Sequence, residues 1–326
     1  MISRTKFEMD EASILRLFAD VGIPGVFHAK PLGDGEFNAV YLVSAPEERY
    51  VLKIAPPDNA PVMTYERDMM RSELFWYDVM RTRTTIRVPN LIHSDFSRTL
   101  LPVPFFIMEY LPGEPLNKAT LTPDERKIAD AQLIEMTAQL HAISSKRFGY
   151  PQCGQYDTWY DAIYAFVDQT LADCASKKRR SKRGERLLRS IERYREVLMP
   201  VSGSMVNFDT WPANIIVRHE NEAIHLSWID PERSFWGDRM LDFVCFAFHH
   251  PLREKVELLA AYNATAFFPV ALLREEEIRF AIGQAYLALI METEKYYRYS
   301  LFNFGWWRNE FACRLLYRAA FDALEK

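Results

Sequence analysis

The spacing of apolar and polar positions predicts a short amphipathic helix over 11–20, after which the pattern changes. Residues 25–30, 39–43 and 49–54 are rich in β-branched and aromatic side chains and are separated by Gly, Pro, Asp and Glu clusters, which predicts three strands. A longer helical stretch follows at 64–80, then two more strands at 88–95 and 104–110. The second of these runs into Leu111-Pro112-Gly113, punctuation that suits a hinge. From Pro123 onward most of the chain has helical spacing, with a strand-bearing island at 204–229 as the obvious exception. Strands first and helices later predict an α+β protein, with a small sheet lobe at 1–111 and a larger, mainly helical lobe at 112–326.

A chain of 326 residues is long enough for two lobes, each expected to have its own core. The formal net charge of −4 is too small to predict a nucleic-acid or membrane partner, because no strong field of either sign exists. Cys153, Cys174, Cys245 and Cys313 are scattered, without a C-x-x-C pair or a histidine at ligand spacing, so buried reduced thiols are expected. Residues 1–20 lack the apolar segment of a secretory signal, and the apolar window at 258–273 is broken by Asn263 and Pro269. A cytoplasmic location, reducing and supplied with ATP, is the expectation.

Candidate chemistry concentrates in VNFDTWPANIIV (206–217) and SWIDPE (227–232). A carboxylate, Asp209, is followed five positions later by the amide of Asn214, then by an apolar strand, and then by Asp230 at the end of another apolar strand. Phosphoryl transfer needs this layout: one carboxylate to orient the attacking hydroxyl, and an amide and a second carboxylate to hold magnesium through oxygen. Each residue taken singly also fits an Asx turn or cap. Their joint spacing favours one nucleotide site.

A second group lies upstream. In LGDGEFNAVYL (32–42), Gly33 and Gly35 form a turn between predicted strands that could lie over phosphates, with Asn38 where a kinase-type G-x-G-x-x-G has its third glycine. Lys53, ending the apolar run Tyr50-Val51-Leu52, can pair with phosphate oxygens and then needs a carboxylate to hold it. The helix at 64–80 offers Glu73, preferred for its mid-helix place, and Glu66 as the fallback, about two turns apart on nearly the same face.

In shared order, GDGEFNAVYLV, YVLK, RSELFWY, PFFIMEYLPGEPL, QLHAISSKRFGY, VNFDTWPANIIV and WIDPERSFWGDRMLDF resemble the aminoglycoside phosphotransferase family of small-molecule kinases, over nearly the whole chain. The resemblance implies a bilobal, protein-kinase-like fold with ATP as donor, GTP remaining open, and Mg²⁺ as cofactor. It implies Asp209 as the catalytic carboxylate, Asn214 and Asp230 as magnesium ligands, and Lys53 on the nucleotide phosphates. Met108, Glu109, Tyr110 and Leu111 would meet the adenine through their backbone. Two departures stand out: Asn207-Phe208 replaces the family's usual His-Gly, and Asp230-Pro231-Glu232 replaces the Asp-Phe-Gly of protein kinases. The proline suits a small-molecule enzyme without a mobile activation switch. Glu232 is a further candidate for the magnesium or its water shell.

The implied partner is a small hydroxyl-bearing acceptor. The segment 285–326 carries no acidic excess, which weakens the reading of a polycationic antibiotic as acceptor and leaves sugars, amino sugars, amino alcohols and macrolides in view. A protein kinase and a non-catalytic nucleotide-binding protein are the other classes. His141 reads as a packing histidine that fixes the nearby loop, and the basic run at 177–183 as a solvated helix start. The aromatic group from Tyr296 to Phe311 reads as core, with one or two rings available to wall the acceptor pocket.

Overall fold

A computed structural model describes residues 6–33, 37–221 and 223–326. Helix α1 (Glu11–Asp20) starts where the Asp10 side chain accepts from the Ser13 amide, and buries Ile14, Leu17 and Phe18. Strands β1 (His28–Pro31), β2 (Ala39–Ser44), β3 (Arg49–Ile54), β4 (Leu91–Asp95) and β5 (Phe105–Glu109) form one antiparallel sheet in the order β1-β2-β3-β5-β4. Strand β3 is central, with Lys53 opposite Val40 on one side and Phe106 on the other, so its side chain position is fixed by two ladders. Helix α2 (Met69–Arg83) lies between β3 and β4 in sequence.

The rest of the chain is mainly helical. Two-residue β6 (Glu114–Pro115) leads to α3 (Pro123–His141), whose start has Pro123 in its first turn and a reciprocal cap between Thr122 and Glu125. Then come β7 (Ser144–Ser145), α4 (Trp159–Ser176), α5 (Lys182–Arg193), α6 (Arg195–Leu198) and β8 (Gly203–Val206). The hairpin β9 (Ile215–Glu220) and β10 (Ala223–Trp228) pairs with β6, and β11 (Phe235–Gly237) pairs with β8, which also pairs with β7. Four helices complete the chain: α7 (Phe243–Ala247), α8 (Val256–Thr265), α9 (Arg274–Arg298) and α10 (Phe304–Leu324).

Two sequence expectations need correction, and one gains an addition. The helix expected over 64–80 is interrupted: Thr64–Glu66 is one 3-10 turn, and Asp68, with φ 55°, turns the chain before α2 begins. Glu66 and Glu73 therefore do not share a helix face. Each lobe has a core, that of the helical part gathering Phe166, Phe235 and Tyr286, and a further core is shared between them. One cluster, with Phe18, Leu52 and Phe105, belongs to the sheet, but another joins Val51, Trp76 and Phe106 to Leu133, Met205 and Trp228 across the connection. The physical reason is that β3 is buried along most of its length, so its second face needs apolar cover that the helical part supplies. Finally, the carboxy-terminal aromatics are not all core: Phe302, Phe304, Trp307 and Phe311 are exposed, because they sit on the α9–α10 turn and the outer face of α10.

Candidate active site

Lys53 and Glu73 are both almost completely buried and face each other, Nζ to Oε2, at 2.6 Å. The same ammonium lies 2.7 Å from Asp230 Oδ1 and 3.1 Å from Glu232 Oε2. Burial alone would lower the lysine pKa, but the charges of Asp230, Glu232 and Glu73 outweigh it and hold Lys53 well above its ordinary value. Burial pushes the Glu73 and Glu232 carboxyls upward, Asp230 adds to the push, and Lys53 opposes it. Asn38, at the position of the missing third glycine, donates from Nδ2 to Glu232 Oε2 at 3.0 Å. Glu66 lies elsewhere, paired with Arg298 and accepting from the Met63 amide at 2.8 Å.

The loop after β8 is held from beneath. The Asp242 carboxylate accepts from the amides of Asn207 (3.0 Å) and Phe208 (2.5 Å), and its Oδ2 lies 3.0 Å from His141 Nε2. The other ring nitrogen of His141 lies 2.8 Å from the Tyr262 hydroxyl. Asn207 Oδ1 then accepts from the Asp209 amide at 3.0 Å, so an amide side chain steadies the turn where the family pattern has histidine. Phe208 adopts φ 57° and its buried ring stacks on Tyr286 at 5.5 Å, which offsets the strain of a left-handed non-glycine residue.

Asp209 emerges from this turn toward Asn214, whose Nδ2 donates to the Asp209 carbonyl (3.0 Å) and to Oδ2 (3.2 Å). The Asn214 carbonyl in turn accepts from the Ile229 amide at 2.9 Å, tying the loop to the strand that delivers Asp230. Asp230, with φ 60°, donates its amide to the Tyr77 hydroxyl at 2.8 Å. Burial raises the Asp209 carboxyl to about 6, against the downward pull of Arg233, whose Nε is 3.9 Å away. Arg233 is itself paired with Glu294 at 2.7 Å.

The expected adenine-facing segment is partly committed. The Glu109 amide donates to the Asn90 carbonyl (2.9 Å) and the Tyr110 amide to the Arg49 carbonyl (3.1 Å), while Met108 lies within β5. Among the described residues the next amide, that of Leu111, bonds to no other backbone group. Gly33 has φ 75°, a conformation open to glycine, and Gly35 lies outside the described residues.

The donor set fits a hard divalent cation. Asn214 turns its NH₂ to Asp209, which leaves Oδ1 available, and the Asp230 carboxylate is about one-third exposed with only Oδ1 on Lys53. Glu73, Asp230 and Glu232 also bring carboxylate oxygens within 4.8 Å of one another, but Lys53 Nζ is bonded to all three and takes the place a cation would have there. Sequence reasoning gave no role to Asp242, Arg233, Tyr77 or Glu294. Asp242, Arg233 and Tyr77 stood inside quoted motifs, whereas Glu294 becomes a neighbour of the site only through folding.

The sequence profile of the phosphotransferase enzyme family (APH) matches residues 28–277. No curated protein sequence matches the chain. Among solved structures, a candidate fructosamine-3-kinase from Haemophilus somnus superposes with TM-score 0.67 at 18% identity, over 95% of this chain and 96% of that one. A thermostable mutant of aminoglycoside phosphotransferase APH(4)-Ia, in ternary complex with ADP and hygromycin B, gives TM-score 0.63 at 17% identity, covering 94% and 98%. Choline kinase LicA from Streptococcus pneumoniae gives 0.61 at 15% identity, covering 97% and 98%. These likenesses establish a protein-kinase-like α+β fold.

Proposed function

Because this chain belongs to the phosphotransferase enzyme family and is a small-molecule phosphotransferase by that membership, we propose that it moves the γ-phosphoryl group of ATP to a hydroxyl of a small acceptor, with Asp209 as the catalytic base. The observation that carries the reading is the 2.7 Å contact between Lys53 Nζ and Asp230 Oδ1, which brings together two groups 177 residues apart, with Asp209 and Asn214 bonded to each other on the adjoining loop. Residues 1–111 would serve the nucleotide and 112–326 the acceptor and the chemistry. Gly33 and Gly35 would approach the phosphates, and the segment Met108, Glu109, Tyr110, Leu111 would meet the base, with the Leu111 amide as its free donor.

In the proposed step, Asp209 accepts the acceptor's O–H proton as that oxygen forms a bond to the γ-phosphorus and the bond from phosphorus to the bridging oxygen breaks, releasing ADP. Lys53, held by Glu73, would pair with the phosphate oxygens. Asn214 and Asp230 would hold magnesium, which supplies charge neutralisation on the phosphates when bound. Positioning and electrostatics then account for most of the rate, with no covalent enzyme intermediate. The four cysteines are free, and no described helix is long and apolar enough to cross a membrane; a cytoplasmic site of action accords with both. Sugars, amino alcohols and antibiotics, including a resistance role, all remain within this reading. Asp209→Asn is expected to lower turnover by roughly 10²–10⁴-fold while ATP affinity stays near wild type. Lys53→Ala should instead weaken ATP binding and turnover together, and unchanged nucleotide kinetics in that variant would remove Lys53 from the phosphates.

A further inference from the structure

Trp211 stands two residues after Asp209, in the loop that Asn214 closes onto that carboxylate, and it is 36% exposed. Its backbone is extended, with φ −73° and ψ 143°, as the backbone of a residue before proline tends to be. Side chains on an extended run alternate between two sides. Thr210 and Pro212 both line a cavity of about 780 Å³ against α3, α7 and α8, and neither Asp209 nor Trp211 belongs to that wall. The alternation therefore places Trp211 and Asp209 together on the opposite side of the loop.

Phe248 steadies the indole from one side, with ring centres 6.1 Å apart and planes at 67°. It closes α7 with φ 51° and ψ −112°, a strained conformation for a non-glycine residue that persists where neighbours impose it. Its carbonyl accepts from Nε2 of Gln284, a buried residue of α9, and its amide donates to the Val244 carbonyl at 2.7 Å. Asp242, just before the same short helix, holds the Asn207 and Phe208 amides. Helix α7 is thus tied to the loop at both ends, through Asp242 before Asp209 and through Phe248 after it. Among the described residues the Trp211 N–H bonds to no other group. A broad apolar face with a free donor at its rim stands beside the carboxylate.

We propose that Trp211, steadied by Phe248, contacts the acceptor and selects one with a ring: the flat C–H side of a cyclic polyol or sugar lies on the indole, one of its oxygens accepts from the indole N–H, and another hydroxyl meets Asp209. This rests on the phosphotransferase reading for the role of Asp209, and goes beyond it in naming the residue that reads the acceptor and the shape it reads. An open-chain alcohol would have to give up rotation about several bonds to cover the same face, whereas a ring has lost that freedom already. A cation held in an aromatic cage takes several ring faces around one centre, and here one large face is on offer.

The test sets the methyl pyranosides of glucose, galactose and mannose against the corresponding open-chain alditols and against choline. Binding of each to the whole protein is measured by calorimetry with magnesium and a non-hydrolysable ATP analogue present, and phosphoryl transfer is followed separately by mass spectrometry. One pyranoside or more is expected to bind at least roughly tenfold more tightly than its alditol and than choline, equivalent to about 1.4 kcal/mol. Trp211→Ala should abolish that difference and raise the KM of the ring acceptor about tenfold, while the KM for ATP and the melting temperature stay near wild type. Trp211→Phe, which keeps a flat apolar face, should recover most of the preference. Alditols or choline binding as well as every pyranoside overturns the proposal, as does a pyranoside preference that Trp211→Ala leaves intact. Pyranoside binding that depends on Trp211, without transfer to any pyranoside, would uphold the platform and count against the function proposed above. Transfer to a pyranoside with the same KM in Trp211→Ala as in wild type would uphold that function and overturn the platform.

Discussion

At Asp209 two influences act on one carboxyl group: burial raises its pKa to about 6, and the Arg233 guanidinium works in the opposite direction. If Asp209 is the base, log kcat/KM should rise as pH passes through about 6 and then level, and Arg233→Gln should move that limb to higher pH. A limb that stays in place after Arg233→Gln, or that is missing, would contradict the role given to this pair. The sign for stability is opposite. A carboxyl raised above its ordinary 3.8 contributes stability that is complete below that value and lost as pH rises through about 6. Asp209→Asn is therefore expected to raise the melting temperature at pH 8, by at most about 3 kcal/mol of stability, with no gain near pH 3.5. Asp209, Asn214, Asp230 and Lys53 were legible as candidates because each sits at a short, fixed distance from a strand end or turn. Arg233 and Glu294 were not. They are 61 residues apart, and only the packing of α9 against the loop after β10 makes them a pair.

Among the elements, the loop after β8 depends most on its supports. Asp242 accepts two loop amides and meets His141, and all three partners are buried, so removal of the carboxylate leaves two donors and an imidazole unsatisfied. Asp242→Ala is expected to cost about 3–5 kcal/mol in denaturant unfolding and to lower turnover, with the KM for ATP little changed. Wild-type unfolding together with wild-type turnover would show that the loop holds itself. His141 was read from the sequence as a packing residue for the nearby loop, and its neighbours Asp242 and Tyr262 give that reading a physical form. The helix and strand patterns were legible where they were long. Strands β6, β7 and β11, of two or three residues, carry no periodicity and exist because β9 and β8 offer them free edges. The break before α2 was equally hidden, since one left-handed residue, Asp68, leaves the apolar spacing on either side intact.

For the whole molecule, the core that crosses the connection links the position of Lys53 to the position of Asp209. Trp76 of α2 is fully buried in that core, with its ring 4.8 Å from Trp236 of the helical part. Trp76→Ala should cost about 3–5 kcal/mol, whereas Phe302→Ser, at a fully exposed ring, should stay within about 0.5 kcal/mol. Equal costs would show that the carboxy-terminal aromatics are covered in solution. The shared core was not legible because composition counts apolar residues without saying which face of β3 they cover. The account's central claim is that Lys53, Asp209, Asn214 and Asp230 form one phosphoryl-transfer site, and the most direct measurement is incubation of the protein with Mg-ATP and a broad panel of hydroxyl compounds, read by mass spectrometry. The account predicts an acceptor that gains one phosphoryl group with wild-type protein and gains almost none with Asp209→Asn. The same product formed at the same rate by both proteins would contradict it.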